Sequence, residues 1–287
     1  MNTDGTRMAV GAPRSDTYVS ISGGYLRVYQ YDQTKSPAWQ QMGQDIPGDS
    51  GYESRGRMVS MSGDGTKVAS IGFDSTMGFV KVHEWSGASQ NWTAMPGLPS
   101  SSEWQNHYAV AISSDGMRVA FVKQYTMGSN ALFVYELGSG GTWSQVGNFI
   151  PLTWSSGGYT MALSANGIRV VVGSPQEGLV QVYDLNSANL WEQVGQSISI
   201  QGDNKFGTSV AISADGTRLV AGAPGSVGGV FGTFSSSEPY ARAYTLNSGS
   251  WEQLGSDVKM GQPAKNHLGT SFPYLFGSSV DLSLIHI

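Results

Sequence analysis

The sequence predicts an all-β fold: a β-propeller of four-stranded antiparallel blades, about five of them in this chain. Three observations predict it. A short turn recurs at Asp4-Gly5-Thr6-Arg7, Asp64-Gly65-Thr66-Lys67, Asp115-Gly116-Met117-Arg118, Asn166-Gly167-Ile168-Arg169 and Asp215-Gly216-Thr217-Arg218, at spacings of 60, 51, 51 and 49 residues. A strand-borne period of that size marks a propeller or a linear array. Each turn lies among four short segments with the apolar alternation of strands, and no segment sustains a helical period.

The clearest unit runs from Phe206 to about Asp257. Its first strand is Phe206 to Ser213, with alternating character. Asp215-Gly216 follows, a dipeptide that tolerates the positive φ of a tight hairpin. The second strand, Arg218 to Ala223, is stopped by Pro224. The third is Ala241 to Leu246, the turn after it is Asn247-Ser248-Gly249, and the fourth is Trp251 to Gly255. Third strands recur as Leu26–Tyr31, Val80–Trp85, Leu132–Leu137 and Val180–Leu185. Fourth strands recur from Trp39, Trp143 and Trp191, with Trp92 to Pro96 as a degenerate copy.

First strands fall near 57–62, 108–113, 159–164, 206–213 and 276–283, while the N-terminal unit begins at its turn. The C-terminal strand is therefore expected to pair with the N-terminal three and close the ring, which removes open sheet edges. Residues 1–283 are read as a single propeller domain, a fragment of a larger one. The tail Leu282-Ser283-Leu284-Ile285-His286-Ile287 matches a translated sequencing adapter, and residues 284–287 are set aside from the fold.

Composition narrows the function classes. The net charge is −5 without a basic cluster, which argues against nucleic acid. No run is long enough to cross a membrane as a helix. With no cysteine, disulfides, thiol catalysis and cysteine-ligated metals are excluded. Asn91-Trp92-Thr93 is a lone glycosylation sequon.

The stretch from Phe206-Gly207 to Gly222-Ala223-Pro224 resembles the FG-GAP repeat of integrin α-type propellers. The frame recurs weakly from Asp4 to Pro13 and from Asn166 to Pro175. The Ser213-Ala214-Asp215-Gly216 core is also similar to the turn of WD40-type propellers, a second choice with the same fold. The resemblance implies an extracellular or cell-surface binding module. FG-GAP repeats that hold calcium carry an Asp-x-Asp-x-Asp-Gly loop. Here each turn offers one carboxylate, too few for the six to eight oxygens calcium takes, so no metal or other cofactor is expected.

Residues that recur in register are expected to pack: Asp4, Gly5, Asp64, Gly65, Asp115, Gly116, Asn166, Gly167, Asp215 and Gly216 in the turns, and Trp39, Trp92, Trp143, Trp191 and Trp251 between blades. Non-repeated residues on the loops joining strand four to strand one, and strand two to strand three, are the better candidates for binding. Tyr52, Asp74, Trp104, His107, Tyr125 and Trp154 are chosen; Phe73, Lys123, Gln176 and Tyr240 share these loops. His83 stands where other third strands place Tyr, and is read as packing.

No catalytic set stands out: no His-Glu-x-x-His metal spacing and no nucleophile elbow occur. The leading expectation is a non-enzymatic binding or adhesion module for a protein or glycan ligand. The alternatives are a propeller glycan hydrolase with a channel-mouth carboxylate pair and an intracellular WD40-like scaffold.

Overall fold

The computed structural model describes residues 1–13, 24–48, 55–73, 78–98, 107–124, 129–152, 158–200, 205–224, 239–259 and 279–280. Within them the chain is all-β, folded as a propeller of antiparallel blades in sequence order. Blade 1 contains β1 (Arg7–Ala12), β2 (Tyr25–Tyr31), β3 (Trp39–Gln41) and β4 (Ile46–Pro47); blade 2 contains β5 (Met58–Met61), β6 (Lys67–Phe73), β7 (Gly78–Ser86) and β8 (Asn91–Ala94). Blade 3 contains β9 (His107–Ile112), β10 (Arg118–Gln124), β11 (Asn130–Leu137), β12 (Trp143–Gln145) and β13 (Ile150–Leu152). Blade 4 contains β14 (Thr160–Leu163), β15 (Arg169–Ser174), β16 (Leu179–Leu185), β17 (Trp191–Gln193) and β18 (Ile198–Ser199). Blade 5 contains β19 (Ser209–Ile212), β20 (Arg218–Ala223), β21 (Tyr240–Asn247) and β22 (Ser250–Lys259).

The chain divides into two compact units. One holds Met1–Trp154 with Ala165–Gly167 and Ser187–Trp191; the other holds Ser155–Ser164, Ile168–Asn186 and Glu192–Ile287. Blades 1 to 3 belong to the first, and most of blades 4 and 5 to the second. The strand expected near 276–283 lies outside the described residues except at 279–280, and so does the tail 284–287.

The recurring turn is a four-residue loop rather than a two-residue hairpin. Ser213 N–H bonds to the Arg218 carbonyl and Gly216 N–H to the Ser213 carbonyl, with φ +74° at Gly216. The Asp215 carboxylate accepts from Ser213 Oγ, Thr217 N–H and Thr217 Oγ, and the Ser213 bond is the largest influence holding its pKa below the usual carboxylate value. Asp64 accepts the same set from Ser62 and Thr66. Blade 1 substitutes Asn2 for the serine, whose Oδ1 accepts from Arg7 N–H at 2.8 Å.

The fourth strand runs further than its sequence signature. In blades 1, 3 and 4 it continues past a glycine with positive φ (Gly43, Gly147, Gly195), and both pieces pair with the same third strand. In blade 5 it is one strand, β22, with a register shift opposite Ala241–Ala243. The recurring spacing Trp-x-Gln-x-Gly has a local cause: Gln41, Gln145, Gln193 and Gln253 each donate Nε2 to the carbonyl of the glycine two residues on, at 3.1–3.2 Å.

Alternate side chains bury opposite faces of each sheet. Leu26, Val28, Met42 and Ile46 of blade 1 pack on Val68 and Trp92 of blade 2. Ala69, Ile71, Val80 and Val82 on the other face of blade 2 pack on Val119, Phe121 and Tyr135 of blade 3. Val171, Val180 and Val182 of blade 4 pack on Ile212, Leu219 and Tyr244 of blade 5. Each fully buried Val or Leu contributes about 1.5–3 kcal/mol, so these faces carry most of the stability.

Two polar devices align neighbouring blades. The indole N–H of Trp92 donates to the Met42 carbonyl, that of Trp191 to Val146 and that of Trp251 to Val194, at 2.8–3.0 Å. The guanidinium that ends one turn also reaches the next turn: Arg7 to the Asp64 and Gly65 carbonyls, Arg118 to Asn166 and Arg169 to Gly216. Arg118 and Arg169 hold a carboxylate of their own third strand as well, Glu136 and Asp184.

Candidate functional site

Of the six chosen binding residues, Tyr52, Asp74, Trp104, Tyr125 and Trp154 lie outside the described residues. His107 opens β9, its backbone opposite Lys123. Among their loop companions, Phe73 ends β6 and Gln176 is exposed in the turn between β15 and β16. Lys123 and Tyr240 are not loop residues. Both lie in strands and are buried.

The most unusual chemistry lies in blade 2, at the end where the loops enter. Cross-strand registers put Val68 opposite His83, Ser70 opposite Lys81 and Gly72 opposite Phe79, so these six share one face of the sheet. Arg55 comes in beside them just before β5; its backbone forms a parallel bridge with Gly24, and its side chain is fully buried. The Arg55 guanidinium carbon lies 5.5 Å from the centre of the Phe79 ring, and Lys81 Nζ lies 4.9 Å from the same centre. Two cations thus share one aromatic ring, the geometry of cation–π attraction.

The repeat shows how far this departs from the other blades. Arg55-Gly56 occupies the place of Phe206-Gly207, and Gly56 and Gly207 both have φ +86°. In blade 5 the matching side chains are aromatic: Phe206 lies 6.3 Å from Tyr240 and 6.4 Å from Tyr244. In blade 3 Phe121 stacks on Phe133 at 6.0 Å and on Tyr135 at 5.5 Å, where blade 2 has Ser70, Lys81 and His83. Arg27 and Arg242, at the position of Lys81 in blades 1 and 5, face Asp45 and Asp257 on their fourth strands. Lys123 is the same kind of exception, since Gly72, Ser174 and Ala223 fill its position elsewhere.

Burial sets the electrostatics. Removal from water lowers the Lys81 pKa. Desolvation first, then Arg55 and Lys81, lower that of His83 to about 4, so its imidazole is neutral at pH 7. Among the described residues, His83 Nδ1 and Ser70 Oγ have no hydrogen-bond partner. Ser70 is fully buried, so it meets no substrate while the blades are packed. Lys81 is only half-buried and is the cation of this set that reaches the surface. A desolvated ammonium there suits a carboxylate, a phosphate or the developing charge on an acyl oxygen. Among the described residues, no three His, Cys, Asp or Glu side chains gather as metal ligands.

Sequence reasoning missed Arg55 and Lys81. The signal was present: aligned on the repeat, Arg55 stands in the phenylalanine slot and Leu98 in the aspartate slot.

No family model and no curated protein matches the chain. Solved structures do. The chain is similar to a periplasmic gluconolactonase from Pseudomonas aeruginosa at 17% identity and a TM-score of 0.51, covering 90% of this chain and 84% of that one. It is similar to TolB from Acinetobacter baumannii at 13% identity and a TM-score of 0.51, covering 88% of this chain; the chain spans about half of TolB, 53%. A hypothetical selenium-binding protein from Sulfolobus tokodaii aligns at 11% identity and a TM-score of 0.55, covering 88% of this chain and 64% of that one. These similarities support the propeller fold. The expectation of a non-enzymatic adhesion module is corrected by them: an enzyme, the gluconolactonase, shares the fold along nearly the whole chain. Among the described residues, no helix is long and apolar enough to cross a membrane.

Proposed function

We propose that this chain is a propeller hydrolase acting on a carbohydrate-derived substrate, with Lys81 of blade 2 facing the reacting group. The observation that carries the proposal is the pair of cations, Arg55 and Lys81, on the single ring of Phe79. Blade 3 holds this face with aromatic stacks, and blades 1 and 5 place the carboxylate-paired Arg27 and Arg242 there. A buried guanidinium costs several kcal/mol of desolvation, and the fold retains it where Phe206 shows that an apolar ring fits.

On this reading Lys81 is the catalytic residue. It stabilises negative charge that develops on the acyl or glycosidic oxygen, a contribution that counts for more in a desolvated site than in water. Arg55 is a positioning residue that acts through Phe79, while burial keeps the Lys81 pKa low. The repeat is read as FG-GAP-like, with Arg55-Gly56 as a variant of its Phe-Gly step. The similarity to a periplasmic gluconolactonase supports ester or lactone chemistry and a place outside the cytoplasm.

The test is a hydrolysis assay on aldonolactones and aryl glycosides, corrected for spontaneous opening. Turnover by the wild type is expected, with kcat/KM lowered roughly a hundredfold in Lys81→Met and a shifted pH profile in Arg55→Met. No turnover above background, or equal turnover by Lys81→Met, would overturn it.

A further inference from the structure

The recurring turn differs in blade 4. Four turns hold a carboxylate, Asp4, Asp64, Asp115 and Asp215, and each accepts from the N–H two residues on at 2.8–2.9 Å. Blade 4 holds Asn166-Gly167 instead, the one Asn-Gly pair of the sequence. Asn166 is exposed. The turn glycines share one backbone conformation, with φ from +65° at Gly167 to +74° at Gly216. In four turns the glycine N–H donates to the carbonyl three residues before it, Gly5 to Asn2, Gly65 to Ser62, Gly116 to Ser113 and Gly216 to Ser213, at 2.9–3.2 Å. The Gly167 N–H has no backbone acceptor among the described residues.

The peptide group joining Asn166 to Gly167 is also polarised. Arg118 Nη1 donates to the Asn166 carbonyl at 3.3 Å, and all three residues lie in the first compact unit. The stem of Arg118 lies over the glycine, since a Cβ on Gly167 would come 2.9 Å from Arg118 Cβ and Cδ. The carbonyl that Arg118 holds belongs to the same amide as the Gly167 nitrogen. A cation on that oxygen draws charge from the nitrogen, makes its proton easier to lose and stabilises the anion that remains. The glycine carries no side chain to screen its nitrogen from the amide of Asn166.

We propose that Asn166-Gly167 is a self-modification site, at which the native turn converts Asn166 to aspartate or isoaspartate. The Gly167 nitrogen gives its proton to solvent and attacks Asn166 Cγ. The bond from Gly167 N to Cγ forms, the bond from Cγ to Nδ2 breaks, and Nδ2 leaves as ammonia with a proton from solvent. Water then opens the cyclic imide. Opening at Cγ gives aspartate, the residue that the other four turns accommodate. Opening at the main-chain carbonyl gives isoaspartate, which routes the backbone through Cβ and Cγ and turns the carbonyl held by Arg118 into a free carboxylate. In sum an amide and water become a carboxylate and ammonium, and the chain gains a negative charge.

The test ages the full chain in mildly alkaline heavy-oxygen water, in native buffer and in urea, and follows each asparagine by peptide mass mapping. Asn166 is expected to convert in native buffer ahead of every other asparagine, with heavy oxygen incorporated, and an isoaspartyl methyltransferase is expected to label part of the product. The native rate is expected to be at least the rate in urea, because the turn holds the reacting groups together. Arg118→Met is expected to slow the native conversion roughly tenfold, the effect of losing a charge-assisted hydrogen bond, and to leave the rate in urea unchanged. Asn166→Asp, which is one product, is expected to keep the wild-type circular dichroism spectrum. An Asn166 that survives in native buffer, a native rate below that in urea, an Arg118→Met rate equal to the wild type's, or an Asn166→Asp chain that loses the spectrum would overturn the proposal.

Discussion

The indole N–H of Trp191 donates to the carbonyl of Val146 at 2.8 Å, joining the fourth strands of two successive blades. Trp143 occupies the matching position one blade earlier, yet its Nε1 has no partner among the described residues. The blade before it carries Pro96 where Gly43, Gly147 and Gly195 stand elsewhere, and its fourth strand departs from the pattern there. Replacing Trp191 with Phe should cost about 1 kcal/mol more than replacing Trp143, the usual net worth of a hydrogen bond. Chemical denaturation of both variants measures the difference; equal losses would show that the indole bond contributes nothing.

Gly56, two residues before β5, has φ +86°, and a Cβ there would lie 2.7 Å from the Tyr25 carbonyl oxygen and 2.8 Å from Gly11 Cα. Neither neighbour is the end of a flexible side chain. Gly56→Ala is therefore expected to destabilise by about 2–3 kcal/mol through backbone strain and contact together. Gly249 also has positive φ but open space around it, so Gly249→Ala should cost about 1 kcal/mol, the strain alone. The melting temperatures of the two variants give the comparison.

His83 has a folded pKa of about 4 against an ordinary value of 6.5. The unfolded chain therefore takes the proton first as pH falls. The stability associated with neutral His83 is fully present above pH 6.5 and is lost between 6.5 and about 4, in total about 3 kcal/mol. Lys81 on the same strand and Arg55 just before β5 reinforce this, since both repel an imidazolium. His83→Tyr, which restores the residue of the other blades, should flatten the acid limb of the stability–pH curve. An unchanged limb would exclude His83 as its source.

Arg242 grips Asp257 through two bonds of 2.6 and 2.8 Å. That pairing holds the Asp257 pKa below the usual carboxylate value, so its stabilisation is present at neutral pH and lost as the carboxylate protonates in acid. Blade 3 fills the same two positions with Phe133 and Phe149, rings 5.9 Å apart. Arg242→Phe and Asp257→Phe should each destabilise by about 1–2 kcal/mol, and the double variant should recover at least about 1 kcal/mol of the summed loss. Additive losses in a double-mutant cycle would mean the positions act independently.

Much of the blade was legible in the sequence because its signals are local. The Asp-Gly turn satisfies its own backbone within six residues, from Ser213 to Arg218. The third strands alternate because successive side chains point to opposite faces of a sheet. The fourth strand is longer than its sequence signature, since its continuation past Gly43 or Gly195 depends on pairing with a strand earlier in the chain. Tyr240 reads as a loop residue in the sequence for the same reason: its stacking on Phe206 joins residues far apart in sequence. The chosen binding residues fall almost wholly outside the described residues, whereas Arg55 and Lys81 emerge only when blades are compared position by position.

The sequence by itself determined the period, the antiparallel four-strand unit and its turns. These depend on residue type and spacing within about fifty residues, where chain connectivity brings the partners together. Only the tertiary structure decided that two cations meet at Phe79 and that Arg55 is buried. It alone decided which side chains of one blade pack on the next. The physical reason is that burial and proximity between blades arise from packing of distant segments, and the free energy of a charge depends on what that packing removes from water.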